Sequence, residues 1–306
     1  MPAHGRTWIR TAAVTAAVLF FLAANVGATY AQDAASPATR GQYIFNLAGC
    51  KSCHTDEKNN GPFLAGGVPL KTPFGTFYGP NITPDPTYGL GGWSESDFIR
   101  ALREGRGRDG AHLFPVFPFT SFTRMTDDDA KDLWAYLKTV PPVATPNKPH
   151  DVSFPFNVRL GQMVWKWLFF TPGRFAPDPA KSPEINRGGY IVQALGHCGE
   201  CHTQRNLLGG VDTAKALAGN TRGPDKDVVP NITPDAETGI GKWSNGDLAS
   251  LLSDGMTPDG DFVGGSMGEV VRNTTSKLSA ADARAVIAYL RALPPVRNKV
   301  EEKKAE

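Results

Sequence analysis

Apolar residues recur at helical spacing in a few separate stretches of this 306-residue chain, with proline- and glycine-rich intervals between them. Gln42 to Ala48 reads as a helix that ends at Gly49. Ser94 opens another, with Asp97 three residues on to complete a capping box, and Ser244 with Asp247 repeats the device. A further helix starts at Thr126 with Asp129, carries Leu133, Trp134 and Leu137 along one stripe, and stops at Pro141-Pro142. Its counterpart starts at Ser279 with Asp282 and stops at Pro294-Pro295. Strand-like alternation is scarce, so the pattern predicts a mainly α protein.

The elements come in pairs because the chain contains one unit written twice. Arg40-Gly41 matches Arg187-Gly188, and Cys50 matches Cys198. Pro80-Asn81-Ile82-Thr83-Pro84-Asp85 recurs letter for letter as Pro230-Asn231-Ile232-Thr233-Pro234-Asp235. Trp93-Ser94 returns as Trp243-Ser244, and Ala135-Tyr136-Leu137 as Ala288-Tyr289-Leu290. The offset grows from 147 to 153 residues along the chain, as small insertions would make it. Two copies indicate a duplicated domain, since a solenoid needs about three or more short repeats. The expected organisation is one domain over 37–145, a proline-rich linker over 146–186, a second domain over 187–297 and a charged tail over 298–306. Within the linker Leu160, Met163, Val164, Trp167 and Leu168 fall at helical spacing, leaving Trp165, Phe169 and Phe170 off the stripe. A helix packed between the domains is the expectation; the alternative is a docking face for a partner or a membrane surface.

Charge and the N-terminus narrow the function. The formal charge is +2, with Arg6 and Arg10 both near the start, so no basic stripe suggests a nucleic-acid partner. Those arginines, the apolar run from Ala12 to Ala24 and the small residues up to Ala31 read as a secretory signal over 1–31. The run is short against the ~20 apolar residues of a membrane span, which favours cleavage over anchoring.

All four cysteines lie in two motifs, Cys50-Lys51-Ser52-Cys53-His54 and Cys198-Gly199-Glu200-Cys201-His202. Two thiols able to add across haem vinyl groups, followed at once by an imidazole for iron, are what covalent c-type haem attachment requires. A pair of disulfides would not need the histidines, and zinc would want a fourth soft ligand that no spare cysteine supplies. The expected cofactors are therefore two covalently bound haems c, with His54 and His202 as proximal ligands. Met267, in the expected loop Gly264-Gly265-Ser266-Met267-Gly268, is the expected sixth ligand of the second haem, ahead of Met256. The equivalent residue of the first copy is Phe117, which cannot bind iron. His112 is the preferred candidate there, with Met125 and an open iron as alternatives. His150 is expected to be a solvated linker residue.

The segment 196–203 (Gly-His-Cys-Gly-Glu-Cys-His-Thr), the two Pro-Asn-Ile-Thr-Pro-Asp blocks and the Phe-Pro-x-Phe-Pro run at 114–118 resemble the multihaem cytochrome c subunits of bacterial membrane-associated dehydrogenases. The resemblance spans nearly all of the chain beyond the leader. It implies two tandem class I cytochrome c domains and a dehydrogenase that oxidises alcohols, aldehydes or sugar acids as electron donor. It also implies a respiratory acceptor downstream, a periplasmic location with possible peripheral membrane association, and Trp93 and Trp243 at the haem edges. The function expected is single-electron transfer rather than catalysis, with electrons entering at the first haem and leaving from the second. A dihaem peroxidase-like or thiosulfate-oxidising enzyme is the alternative.

Overall fold

A computed structural model describes Met1 and residues 35–224 and 227–301; the expected signal segment beyond Met1 and the end of the charged tail lie outside the described residues. In the first copy α1 (Pro37–Leu47) begins ahead of the predicted start, because Ser36 accepts from the Thr39 N–H and Pro37 occupies the first helical position. It is followed by α2 (Cys50–His54), an antiparallel hairpin of β1 (Pro69–Thr72) and β2 (Gly75–Tyr78), α3 (Glu95–Glu104), α4 (Phe119–Phe122) and α5 (Asp127–Leu137). The linker supplies β3 (Asp151–Val152), which adds to β2, and α6 (Gly161–Phe169). The second copy runs α7 (Pro183–Tyr190), α8 (Gly199–His202), α9 (Asn245–Asp254), α10 (Gly265–Asn273) and α11 (Ala280–Arg291).

Each copy is built on a crossing of its first and last helices. A Cβ on Gly41 would lie 1.8 Å from the Asp132 carbonyl oxygen, and one on Gly188 would lie 1.9 Å from that of Ala285. Only glycine allows α1 to meet α5, or α7 to meet α11, this closely. The capping boxes at Ser94–Asp97 and Ser244–Asp247 form as predicted, and Thr126 and Ser279 cap the last helices. The drifting offset has local causes. One extra residue is absorbed by a π turn, Ile191–Leu195, that continues α7 toward Cys198. Three more enlarge the segment before the last helix, so that the second copy has the nine-residue α10 where the first has the four-residue α4.

A single apolar cluster runs through both copies, holding Leu47 and Phe122 of the first beside Leu195 and Leu217 of the second. The copies also cap one another. The Tyr43 hydroxyl donates to Asp282 (2.8 Å) and accepts from the Ser279 N–H (3.0 Å), closing the start of α11. Tyr190 does the same at the start of α5, donating to Asp129 (2.5 Å) and accepting from the Thr126 N–H (3.1 Å).

The linker helix reverses the expected orientation. Trp165, off the predicted stripe, donates to the Leu208 carbonyl at 2.8 Å, and Phe170 meets Phe119 edge-on at 5.1 Å. Lys166 reaches beneath the helix, donating to the Glu104 and Gly105 carbonyls (both 2.6 Å) at the end of α3. The regular stripe faces outward instead, with Leu160 67% and Trp167 82% exposed. Helical spacing identifies a face, but the polar anchor at Lys166 and the bulk of the flanking aromatics decide which face is covered. No helix among the described residues is long and apolar enough to cross a membrane.

Candidate cofactor sites

The two Cys-x-x-Cys-His motifs fold into matching short turns, α2 and α8, directly after the first helix of each copy. The four cysteines are unpaired thiols, each partly exposed. Burial pushes the Cys50 and Cys198 thiols up to about 12 and those of Cys53 and Cys201 to about 11, so all four are protonated at neutral pH. After burial and the charge of Glu269, the charge of Cys201 also raises the Cys53 pKa, so the two turns lie within electrostatic reach of one another. His197 also reaches across, its Nε2 3.4 Å from the Ala48 carbonyl.

The repeated hexapeptide has a direct part in this geometry. His54 Nδ1 lies 2.7 Å from the Pro80 carbonyl oxygen, and His202 Nδ1 lies 2.8 Å from that of Pro230. A carbonyl can only accept, so the proton belongs on Nδ1 and Nε2 keeps its lone pair for a metal. Burial, only partly opposed by these carbonyls, lowers both imidazole pKa values and favours the neutral form. The prolyl carbonyls are held in turn by the next residue. Asn81 Nδ2 donates to Val143 and Thr145, while Asn231 Nδ2 donates to Val296, pinning each hexapeptide to the chain beyond the last helix. Thr83 and Thr233 close the same turns onto the asparagine Oδ1 atoms.

Behind each histidine stands a threonine. Thr55 Oγ1 accepts from the Leu64 N–H and Thr203 Oγ1 from the Leu217 N–H, both at 3.0 Å. Both leucines occupy the left-handed region, at φ 58° and 61°. A non-glycine residue adopts that conformation only where its surroundings impose it, and such strain gathers at functional sites. The prolyl carbonyls, the threonines and these leucines were not singled out from the sequence, although the letter-for-letter repeat and the Thr following each motif were signals for the first two.

The residues of the other faces differ between copies. Met267 is partly buried in the first turn of α10, a helix where the sequence suggested a glycine-rich loop. Phe117 packs against the shared cluster with its ring 5.7 Å from Phe122. Met125 is completely buried in the same cluster, just before α5. His112 pairs with Arg106 in an antiparallel bridge, as Phe262 pairs with Met256, and Arg159 donates to its carbonyl at 2.9 Å. Its imidazole pKa is lowered by burial and by the charges of Lys166 and Arg106. Met256 is 39% exposed. His150 is exposed as expected, yet it is anchored by the Tyr78 N–H (3.2 Å) and by the rings of Phe77 and Phe114. Trp93 and Trp243 pack partly buried against the shared cluster.

The site chemistry fits haem: paired neutral thiols beside an imidazole whose Nε2 is available, in a turn braced on two sides. Among the described residues no group of three or more His, Cys, Asp and Glu side chains is arranged to hold a metal ion. The family described as Cytochrome c matches residues 38–141, the first copy. A "Diheme cytochrome c-type" protein of Cereibacter sphaeroides is 45% identical over 262 residues, which is 85% of this chain and 86% of that protein. The "Alcohol dehydrogenase (quinone), cytochrome c subunit" of Gluconacetobacter polyoxogenes is 39% identical over 288 residues, 92% of this chain and 61% of that subunit. The "Fructose dehydrogenase cytochrome subunit" of Gluconobacter japonicus is also 39% identical, across 84% of this chain and 52% of that subunit. This chain thus spans about three fifths and one half of the two dehydrogenase subunits. Attachment turns of this chemistry, together with a relative matched over most of both lengths, place the chain in the cytochrome c family, as a haem c protein.

Proposed function

We propose that this chain is a periplasmic dihaem cytochrome c that relays single electrons from a partner dehydrogenase to a respiratory acceptor. The observation that carries the proposal is the duplicated attachment turn, each with its histidine Nδ1 committed to a prolyl carbonyl and Nε2 free. Cys50 and Cys53 would hold one haem and Cys198 and Cys201 the other, with His54 and His202 as proximal ligands. Haem supplies the one-electron iron couple; the chain's task is to fix the ligands, the burial and the charge around it. Relatives named as subunits of alcohol, fructose and gluconate dehydrogenases support a dehydrogenase as the partner.

Met267 is the sixth ligand of the second haem in this reading. For the first haem the surroundings favour Met125 over His112. His112 is half-buried in its bridge with Arg106, and the charges of Lys166 and Arg106 act on its ring. Met125 lies in the cluster against which Cys50 and Phe117 pack. Thioether ligation raises the potential relative to bis-histidine ligation and suits electron transfer.

Haem content per chain and a redox titration of the purified holoprotein test the proposal. Two covalent haems, both low-spin when oxidised, are expected. One haem per chain, or a high-spin ferric signal pointing to a peroxidase-like open iron, would overturn it.

A further inference from the structure

Each attachment turn is tied to the opposite copy, and the two ties differ in kind. In the first turn the tie runs through a neutral amide: Asn273, at the end of α10, donates to Ser52 Oγ at 3.0 Å and accepts from Lys51 Nζ at 3.5 Å. The residue corresponding to Ser52 in the second turn is a carboxylate, Glu200. Its Oε1 accepts from both Thr120 and Ser121 of α4, each at 2.7 Å, and its other oxygen pairs with Arg205. Only 16% of the Glu200 side chain is exposed. Hydrogen bonds to an ionised, sheltered acceptor are about twice as strong as neutral ones.

What Glu200 grips is a helix with little support of its own. α4 has four residues, follows Pro118 and has no side-chain cap. It comes directly after Phe117, the residue that stands where the second copy has Met267. Its Phe122 touches Phe117 at 5.7 Å and the His197 ring at 5.5 Å. The corresponding α10 is nine residues long. By its equivalence with α10 this segment is the outer wall of the first site, and it is held by a charge that the second copy supplies.

We propose that Glu200, although it lies inside the second attachment motif, is a positioning residue for the first haem site. It acts through Thr120 and Ser121, which fix α4 and with it the Phe117–Phe122 wall. This inference rests on the dihaem reading above. It makes the two sites unequal in their dependence: the first site's wall requires the second turn to be folded.

Two variants of the full-length holoprotein test it, Glu200→Gln and the double variant Thr120→Val/Ser121→Ala, with covalent haem content, ferric spectra and each midpoint potential as readouts. Both variants should disturb the first haem's ferric spectrum and lower its potential, because a loosened α4 admits water and favours the ferric state. Glu200→Gln should also raise the second haem's potential, since a neighbouring negative charge is lost. The double variant should leave the second haem near its wild-type value, and Glu200→Asp should restore part of the first haem's spectrum. A first haem with unchanged spectrum and potential in the double variant overturns the inference, whatever happens to thermal stability. So does a Glu200→Gln protein in which only the second haem moves. A wild-type content of one haem would instead sink the dihaem reading, independently of these variants.

Discussion

The two copies share a frame and differ in what closes it. Helix crossing at Gly41 and Gly188, histidine orientation by Pro80 and Pro230, and tyrosine caps from the opposite copy are all repeated with nearly the same distances. The segment before the last helix is not. In the first copy it is short, rich in phenylalanine, covered by α6 and clasped by Glu200. In the second it is a longer helix carrying Met267, next to a hairpin whose Phe262 is open to solvent. The contrast teaches that the frame fixes the proximal side of a site, whereas the distal side is free to diverge. On the dihaem reading, electronic differences between the two haems should arise there.

The largest expected effect divides the copies by their methionines. Met267→Leu should remove the methionine-dependent red charge-transfer band of the second ferric haem and lower its potential, leaving the first haem unchanged. Met125→Leu should have the corresponding effect on the first haem, and His112→Ala should leave both spectra as they are. Absorption and magnetic circular dichroism of the oxidised variants measure this; a lost ligand in His112→Ala would return the first site to histidine coordination.

Next in size is a change that should strike both copies alike. Gly41→Ala and Gly188→Ala each force a methyl into a carbonyl oxygen of the partner helix, and overpacking of this kind costs about 1–3 kcal/mol or more. Denaturant unfolding of the two variants should give similar losses. A tolerated alanine at one position would show that the helix crossings are not equivalent.

The smallest effect concerns the reciprocal caps. Tyr43→Phe and Tyr190→Phe each remove a hydroxyl that serves one carboxylate and one N–H, with an expected loss of about 1–2 kcal/mol. At the Tyr43 cap the loss should depend on pH. Burial opposes the Asp282 charge, but hydrogen bonds from Arg187 and Tyr43 outweigh it and hold the carboxyl below its usual range. A depressed carboxylate pKa contributes stability that is complete above the ordinary carboxylate range and is lost as pH falls through the lowered value. The gap between Tyr43→Phe and wild type should be full at neutral pH and close in acid, as thermal unfolding across that range would register.

Much of the frame was legible because its signals are local. Ser94 and Asp97 meet three residues apart along one helix turn, so their capping box needs no tertiary information. The same holds for the proline stops and for the spacing within each Cys-x-x-Cys-His motif. The linker helix marks the limit. Its stripe was visible, but the stripe from Leu160 to Leu168 faces solvent while Trp165 is half-buried and Lys166 is buried. That outcome depends on the end of α3 and on the loop at Leu208, which are remote in sequence.

The sequence alone determined that there are two Cys-x-x-Cys-His motifs in a duplicated helical unit, and that Phe117 breaks the symmetry at one site. Those are statements about residue type and short spacing, which survive any arrangement of the chain. Only the tertiary structure decided which carbonyl orients each histidine, that the copies share a core and cap each other, and that Glu200 of one turn grips the wall of the other site. Each of these joins groups separated by 26 to 239 residues. Such contacts follow from how the packed helices bring distant backbone and side chains into reach, which no local pattern encodes.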